Sequence, residues 1–356
     1  MIRGASPERV RDALDAGTPF FGTSGFAGEL PDGRLVRDVL GRETLYVDGD
    51  EWDVSPDALA DPSPFPAGHV ETPTGSERCW SLPEPPVASK SNALDNLETA
   101  LGDTLSALDD GTPVAFSGGV DSAVVASAVD APLYVAGFPD SQDREAARDG
   151  ARRMGREGAL REVRIDAGTL EAAVPKVARA TGRTNPMDVA IAAPLYVVAE
   201  RVAADGFERM ALGQGVDEAF GGYEKVASAP SDSRVDATTV RGARTELLAT
   251  LPEQLERDLR AIRGAGVEAV TPLLHDRVVD AALRLPEALL VDARGERKVG
   301  FRRAARAFVP DCIAFREKKA VQYGSLVARE LDRLAREAGF KRREGNHVQR
   351  YVASRL

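Results

Sequence analysis

The sequence predicts an α/β protein with a parallel, doubly wound sheet, a helical C-terminal part and a small, mainly-β N-terminal domain. Three observations support this fold class. Strand-like and helix-like segments alternate in the middle of the chain, the residues before them are rich in Gly, Pro and Asp, and the residues after Arg241 have helical spacing. Alternating β and α units of this length form a parallel sheet with helices on both faces.

The elements follow in order along the chain. Residues 1–85 contain the short β-like segments ETLYVD and RCWSL. The proline-rich stretch LPEPPVASKS, residues 82–91, predicts a boundary between domains at residues 1–85 and 86–356. A first helix is predicted in SNALDNLETALGDTLSAL. The strands PVAFS, PLYVAGF, LREVRI and RMALG then alternate with the helices SAVVASAV, DREAARDGARRMG and PLYVVAERVAADG.

Composition excludes several function classes. The 356 residues carry a net charge of −10, and only seven of the 46 basic residues are lysine, which argues against a nucleic-acid binder and is similar to salt-adapted proteins. No long apolar run and no signal peptide is present, so we expect a cytoplasmic protein without a membrane segment. Two cysteines and three scattered histidines do not make a zinc site, so any metal should be a hard cation on carboxylates.

The first glycine motif, SGGVDS at residues 117–122, follows a predicted strand and precedes a helix. At the carboxyl end of a parallel strand, Ser117, Gly118 and Gly119 predict a loop whose backbone amides approach a phosphate. Asp121 would repel a polyphosphate unless a divalent cation lay between them, and Mg²⁺ suits one or two carboxylates plus phosphate oxygens. The alternative is that Asp121 only caps the helix.

The second glycine motif, GQGVDEAFGGY at residues 213–223, also follows a predicted strand. Asp217 is placed to reach the same metal ion from a neighbouring strand end. Taken alone, this motif favours a glycine-rich turn in which Asp217 and Glu218 begin a helix and Gly221 and Gly222 end it, but beside the first motif the metal site is favoured.

Together the two motifs resemble the asparagine synthetase family of pyrophosphatase-loop ATP enzymes, over roughly residues 91–330. The family's second motif is close to Gly-Glu-Gly-x-Asp-Glu-x-Phe-Gly-Gly-Tyr. GVEAVTPLLHD at residues 266–276 and ERKVGFRRAARAFVPDCIAFREKKAVQYG from residue 296 are similar to two further family segments, in the same order.

The resemblance implies a mechanism and a set of roles. A carboxylate attacks the α-phosphorus of ATP, giving an acyl-adenylate and pyrophosphate, and ammonia or an amine then displaces AMP to form an amide. By match to the family motifs, Asp121 and Asp217 bind Mg²⁺. The pyrophosphate cradle would be Ser117, Gly118, Gly119 and Ser122, and the residues bordering the nucleoside would be Phe116, Leu212 and Gly213.

The resemblance also assigns the charged residues. Lys318 would neutralise charge that develops on the phosphates, and Lys298 and Arg302 form a second basic pair facing phosphate. Glu268 would position or deprotonate the amine. The alternatives are a solvated pair for Lys318 and Lys319 and a surface helix cap for Glu268.

The chain departs from the family in two ways. Ile2 stands where the glutaminase domain has its nucleophilic cysteine, yet residues 35–70 resemble the later part of that domain, so we expect a shortened remnant that does not hydrolyse glutamine. Gln214 and Val270 replace a family glutamate and arginine, and residues 183–196 lack the threonine and arginine pattern of the substrate pocket. These changes leave the carboxylate substrate open.

Four functions compete on these grounds. The first is an ATP-dependent amide-forming ligase, with asparagine as its product and ammonia that is free or supplied by a separate partner. The second is amidation or cyclisation of a different carboxylate on the same fold, and oligomer formation is compatible with either. The third, sulfur transfer to RNA, lacks the cysteines and the basic surface. The last is a non-catalytic nucleotide-binding protein, which has no need of Asp121, Asp217 and Lys318 together.

Overall fold

The structure is a computed structural model that describes residues 1–73, 75–139, 141–229, 232–316 and 323–356. The chain divides into two compact units. The first unit comprises Met1–Ala107, Gln214–Glu256 and Thr271–Ala304, and the second comprises Leu108–Gly213, Arg257–Val270 and Ala305–Leu356. In the described part of the chain, no helix is both long and apolar enough to cross a membrane.

The strands and helices of the described residues have the following bounds. The strands are β1 (Ile2–Arg3), β2 (Ala27–Glu29), β3 (Leu35–Arg37), β4 (Tyr46–Asp48), β5 (Glu51–Asp53), β6 (Ser63–Pro64), β7 (His69–Thr72), β8 (Gly75–Arg78), β9 (Val114–Ala115), β10 (Leu133–Gly137), β11 (Leu160–Arg164), β12 (Arg209–Ala211) and β13 (Glu268–Val270). The helices are α1 (Pro7–Asp15), α2 (Lys90–Leu105), α3 (Val120–Ala126), α4 (Gln142–Arg153), α5 (Ala167–Thr181), α6 (Pro186–Ala204), α7 (Val216–Ala219), α8 (Glu224–Ala227), α9 (Val240–Ala249), α10 (Leu251–Arg263), α11 (Asp276–Leu283), α12 (Glu287–Leu290), α13 (Val299–Ala305), α14 (Asp311–Ala314), α15 (Tyr323–Glu337) and α16 (His347–Ala353).

The second unit contains the predicted parallel sheet, in the order β11-β10-β9-β12-β13 with every neighbouring pair parallel. All five residues of β10 are buried, as expected for a strand with helices on both faces. The chain moves outward from β9 to β11 on one side and then returns to β12 and β13 on the other. The strand order therefore reverses between β9 and β12, where open α/β sheets bind their ligands. The predicted fold class is confirmed.

The first unit contains two small antiparallel sheets, β1-β2-β3-β7-β8 and β5-β4-β6. One face of the larger sheet packs on α1 through Val10, Phe26, Val36 and Trp80, all of them buried. The predicted mainly-β character of the N-terminal residues is thus confirmed. The division of the chain at residues 1–85 and 86–356 remains a prediction from the sequence.

His275 gives the first unit a predicted sensitivity to acid. Its Nδ1 accepts a hydrogen bond from the N–H of Arg277 (3.2 Å) and so caps α11. Partial burial, with the nearby charges of Arg277, Arg42 and Arg9, lowers the pKa of His275 to about 4. The native state therefore keeps this ring neutral, while the unfolded chain takes up a proton below about pH 6.5.

As pH falls from about 6.5 to 4, the unfolded state binds the extra proton, so the free energy of unfolding should decrease. Because the ring is only half buried, we expect a loss of about 1–2 kcal/mol. His275→Asn keeps a capping oxygen without titrating and should remove this part of the acid sensitivity. Urea unfolding at pH 4.5 and 7.5 tests it, and an equal pH dependence in both proteins would contradict the assignment.

Candidate active site

The first glycine motif forms a closed loop between β9 and α3. The N–H of Ser117 donates to Oγ of Ser122 (3.2 Å), and that hydroxyl donates to the carbonyl of Gly119 (3.2 Å). The two serine hydroxyls lie 3.2 Å apart. The chain therefore folds back on itself directly after the strand and places two hydroxyl groups side by side at the start of α3.

Gly118 is required at its position because the loop approaches α4 closely. Its φ is +75°, and a Cβ there would lie 2.2 Å from the carbonyl oxygen of Ala146. Arg316 holds this contact, since its Nη1 donates to the carbonyls of Gly118 (3.2 Å) and Ala146 (3.0 Å). Its Nη2 also lies 3.4 Å from Asp149.

Arg316 is a site residue that the sequence analysis missed. The signal was present, because Arg316 stands two positions before Lys318 in the segment that resembles the family's Pro-x-x-Ile-x-x-Arg-x-Lys. The family resemblance assigned the catalytic role to Lys318, whereas Arg316 is the side chain that fixes the backbone of the loop.

The first residue of the second glycine motif packs against the first motif. Gly213, two residues after β12, packs against the start of α3. A Cβ on Gly213 would lie 2.8 Å from the carbonyl carbon of Asp121 and from the backbone nitrogen of Ser122. Phe116 and Leu212 are buried, with exposed fractions of 1% and 3%, and their amides donate to Tyr134 and Val270. The second unit thus brings together Phe116, Ser117, Gly118, Gly119, Asp121, Ser122, Leu212 and Gly213 at the reversal of the strand order.

The first unit holds both acidic residues of the second motif, Asp217 and Glu218. Oδ1 of Asp217 lies 3.1 Å from Nζ of Lys298, and the Lys298 side chain is only 2% exposed. The carboxylate rests against Gly222, where a Cβ would lie 1.9 Å from Oδ1. Glu218 accepts a hydrogen bond from the hydroxyl of Tyr223 (2.6 Å). The glycine, the lysine and the aspartate therefore form one packed arrangement.

Lys298 reaches Asp217 from an unusual backbone conformation. Its φ is +57°, a left-handed value that costs roughly 1–2 kcal/mol for a residue with a Cβ. Arg302 is also buried, and its Nε donates to the carbonyl of Arg297 (3.1 Å). Backbone strain of this kind persists where surrounding contacts fix it, which is frequent at functional sites.

Glu268 lies at the amino end of its strand, whereas the two glycine motifs follow the carboxyl ends of theirs. It begins β13, opposite Arg209, about 7 Å along the strand from the carboxyl end. Its Oε2 lies 2.9 Å from Nε of Arg263, and the side chain is 45% exposed. Its role at the reaction centre remains a prediction. Lys318 lies outside the described residues.

The candidate metal ligands among the described residues are single carboxylates. Within the described ranges, no cluster of three or more His, Cys, Asp or Glu side chains forms a protein-only metal cage. Asp121 belongs to the second unit and Asp217 to the first, so a cation shared by the two carboxylates remains a prediction. Magnesium commonly takes one or two carboxylates and completes its shell with water and phosphate oxygens.

The sheet order, with glycine loops following β9 and β12, defines an α/β fold of the pyrophosphatase-loop ATPase type. The asparagine synthase family matches residues 96–250 and 229–351 of this chain. The protein therefore belongs to the asparagine synthase family.

Similar proteins carry names from the same family. The chain is 28% identical over 268 residues to a putative asparagine synthetase [glutamine-hydrolyzing] 1 of Methanocaldococcus jannaschii, covering 65% of this chain and 48% of that protein. It is 27% identical over 195 residues to asparagine synthetase B [glutamine-hydrolyzing] of Escherichia coli, covering 54% and 34%. A probable asparagine synthetase [glutamine-hydrolyzing] of Dictyostelium discoideum is 24% identical over 340 residues, covering 81% and 60%. The matched region therefore spans about half or less of the length of the first two relatives and 60% of the third.

Proposed function

We propose that this protein is an ATP-dependent amide-forming ligase. A substrate carboxylate oxygen attacks the α-phosphorus of ATP and expels pyrophosphate, giving an acyl-adenylate. The nitrogen of ammonia or an amine then attacks the acyl carbon, loses a proton and expels AMP. Aspartate is the proposed carboxylate and asparagine the product, with ammonia that is free or supplied by a separate partner.

One observation carries the proposal. Two glycine motifs follow β9 and β12, the strands on either side of the reversal in strand order, and Gly213 packs against the backbone of Asp121 and Ser122. This is the place where open α/β sheets bind nucleotides. The exposed hydroxyl of Ser117, which lies 3.2 Å from that of Ser122, offers a hydrogen bond to a pyrophosphate leaving group.

Two carboxylates are proposed to bind Mg²⁺, namely Asp121 and Asp217. The bound ion would neutralise charge on the phosphates. Two cations support these motifs: Lys298 is held beside Asp217, and Arg316 keeps the backbone of the first loop in place. The residues proposed to face the charge on the phosphates are Lys318, Lys298 and Arg302. Glu268 is proposed to position or deprotonate the amine. The residues proposed to border the nucleoside are Phe116, Leu212 and Gly213.

The test is release of AMP and pyrophosphate from Mg·ATP, at low and at molar salt. Parallel reactions contain aspartate with ammonium, aspartate with glutamine, and no carboxylate. AMP formed with aspartate and ammonium but not with glutamine would support both the ligase and the inactive glutaminase remnant. Nucleotide binding without AMP in any reaction would contradict aspartate as the substrate.

Two variants separate binding from chemistry. Asp121→Asn should weaken Mg·ATP binding about tenfold or more, because a neutral amide is a poorer ligand for Mg²⁺. Lys318→Ala should bind Mg·ATP nearly as well as wild type and lose about 100-fold or more in AMP formation, since its charge acts on the developing transition state. Calorimetric titration and AMP release check them, and wild-type turnover in Lys318→Ala would remove its proposed role.

A second candidate, amidation or cyclisation of a carboxylate other than aspartate, is favoured by the start of α6. Met187 and Ile191 lie one turn apart on this helix and are 69% and 37% exposed. Asp188 between them is paired with Arg183 (3.2 Å) and Arg257 (3.1 Å). Exposed apolar side chains here suit a carboxylate with an apolar body. Screening AMP release against apolar amino acids and dicarboxylates distinguishes the two candidates.

A further inference from the structure

The segment RDVLGRETLY, residues 37–46, makes polar and packing contacts within the first unit. The hydroxyl of Tyr46 donates to Glu256 on α10 (2.8 Å). Gly41 packs on Pro252 at the start of α10, where a Cβ would lie 2.9 Å from Cβ of Pro252. The segment therefore faces the helices of the first unit rather than solvent.

Arg42 lies at the centre of a buried charge network. Its Nε is 2.8 Å from Asp38 and its Nη1 is 2.7 Å from Asp276, and all three side chains are at most 2% exposed. Burial opposes the charged guanidinium, but the two carboxylates outweigh it and raise the pKa of Arg42 above its usual value. Asp276 is satisfied further by the amides of Phe21, Gly22 and Thr23 at 2.8–3.0 Å.

The same Nη1 of Arg42 also donates to the carbonyl of Leu274 (2.8 Å). The side chain of Leu274 lies directly on Gly215, since a Cβ at Gly215 would be 2.1 Å from its Cδ2. Gly215 precedes α7 with φ of +90°, and its carbonyl accepts from the N–H of Ala219 (2.9 Å). Gly215 thereby fixes the direction of α7, the helix that carries Asp217.

We propose that Arg42 is a positioning residue for the second glycine motif: through Leu274 it holds Gly215 and α7, and so sets Asp217 for Mg·ATP. The N-terminal segment would thus contribute to nucleotide binding. The inference rests on the proposed function in one respect, because Mg·ATP is the ligand that Asp217 is proposed to meet.

The experiment compares three variants of the full chain. Arg42→Lys keeps the charge but loses the fork that reaches Asp38, Leu274 and Asp276 together. Leu274→Val keeps Arg42 and shortens the side chain that touches Gly215. Tyr46→Phe is the matched control, because it removes an anchor of the same segment without touching Leu274. Thermal unfolding confirms that each variant is folded.

Two readouts are taken on each protein. The first is the Kd of a non-hydrolysable Mg·ATP analogue, which should rise about tenfold in Arg42→Lys and Leu274→Val and stay unchanged in Tyr46→Phe. The second is hydrogen exchange without nucleotide at the amides of Ala219, Phe220 and Gly222. Exchange should accelerate about tenfold in the first two variants and not in the control.

The outcomes separate this inference from the proposed function. The positioning role would be overturned if Arg42→Lys and Leu274→Val fold but keep the wild-type exchange rates and Kd. It would also be overturned if Tyr46→Phe changed the exchange rates and the Kd as much as those two variants do. If wild type binds no nucleotide, the ligase proposal fails, and the exchange rates still decide whether Arg42 controls α7. If Arg42→Lys does not fold, Leu274→Val alone decides the question.

Discussion

Gly118→Ala is expected to abolish AMP formation, with a loss of at least about 100-fold. The new Cβ would lie 2.2 Å from the carbonyl oxygen of Ala146, and the backbone of Gly118 has φ of +75°. The loop must therefore move away from α4 and lose its contact with Arg316. Displacement of a binding loop by about 1 Å can cost two orders of magnitude in rate. Steady-state AMP release with saturating Mg·ATP measures the effect.

Gly158→Ala is the control for this prediction. It is the same substitution in the same unit, but a Cβ there meets no atom within 4 Å. It should leave both the rate and the unfolding temperature unchanged, whereas Gly118→Ala should also lose about 1–3 kcal/mol of stability through overpacking. Wild-type rates in folded Gly118→Ala would show that this loop does not bind the reacting nucleotide.

Lys298→Met is expected to lower the free energy of unfolding by about 3–5 kcal/mol, the usual cost of removing one partner from a buried ion pair. The change leaves Asp217 without the ammonium group that lies 3.1 Å away. Methionine matches the lysine stem in length, so the loss reports the charge more than the packing. Urea unfolding with a common m-value provides the measurement.

A double-mutant cycle with Asp217→Asn isolates the pair. If the two side chains stabilise each other, Asp217→Asn/Lys298→Met should be more stable than the sum of the single changes predicts, by about 1–3 kcal/mol. Strict additivity would mean that the loss in Lys298→Met comes from its left-handed backbone or its packing, and not from Asp217.

The parallel sheet was predictable because its strands carry strong local signals. The apolar runs PLYVAGF and RMALG contain β10 and β12, and each glycine motif was predicted to follow a strand because an apolar run precedes it. β13 was missed, because the residues after Arg241 have helical spacing and a three-residue strand, Glu268–Val270, is too short to show a period of two.

The segment RCWSL shows the opposite error. It was predicted as β, but β8 ends at Arg78, and the amides of Cys79 and Trp80 both donate to Gly68 instead of continuing a ladder. Trp80 joins the core from an irregular segment. Tertiary contacts of this kind, like the approach of Lys298 to Asp217 across about 80 residues of sequence, leave no local pattern to detect.

The buried network of Arg42, Asp38 and Asp276 has a consequence for how such a protein changes over evolutionary time. Here the removal of Arg42 would leave Asp276, at the start of a core helix, as a desolvated carboxylate with no cation beside it in the network. Deletions that remove residues 37–46 would remove this cation and destabilise the first unit. Selection for a stable fold would therefore retain residues 37–46, whether or not they take part in catalysis.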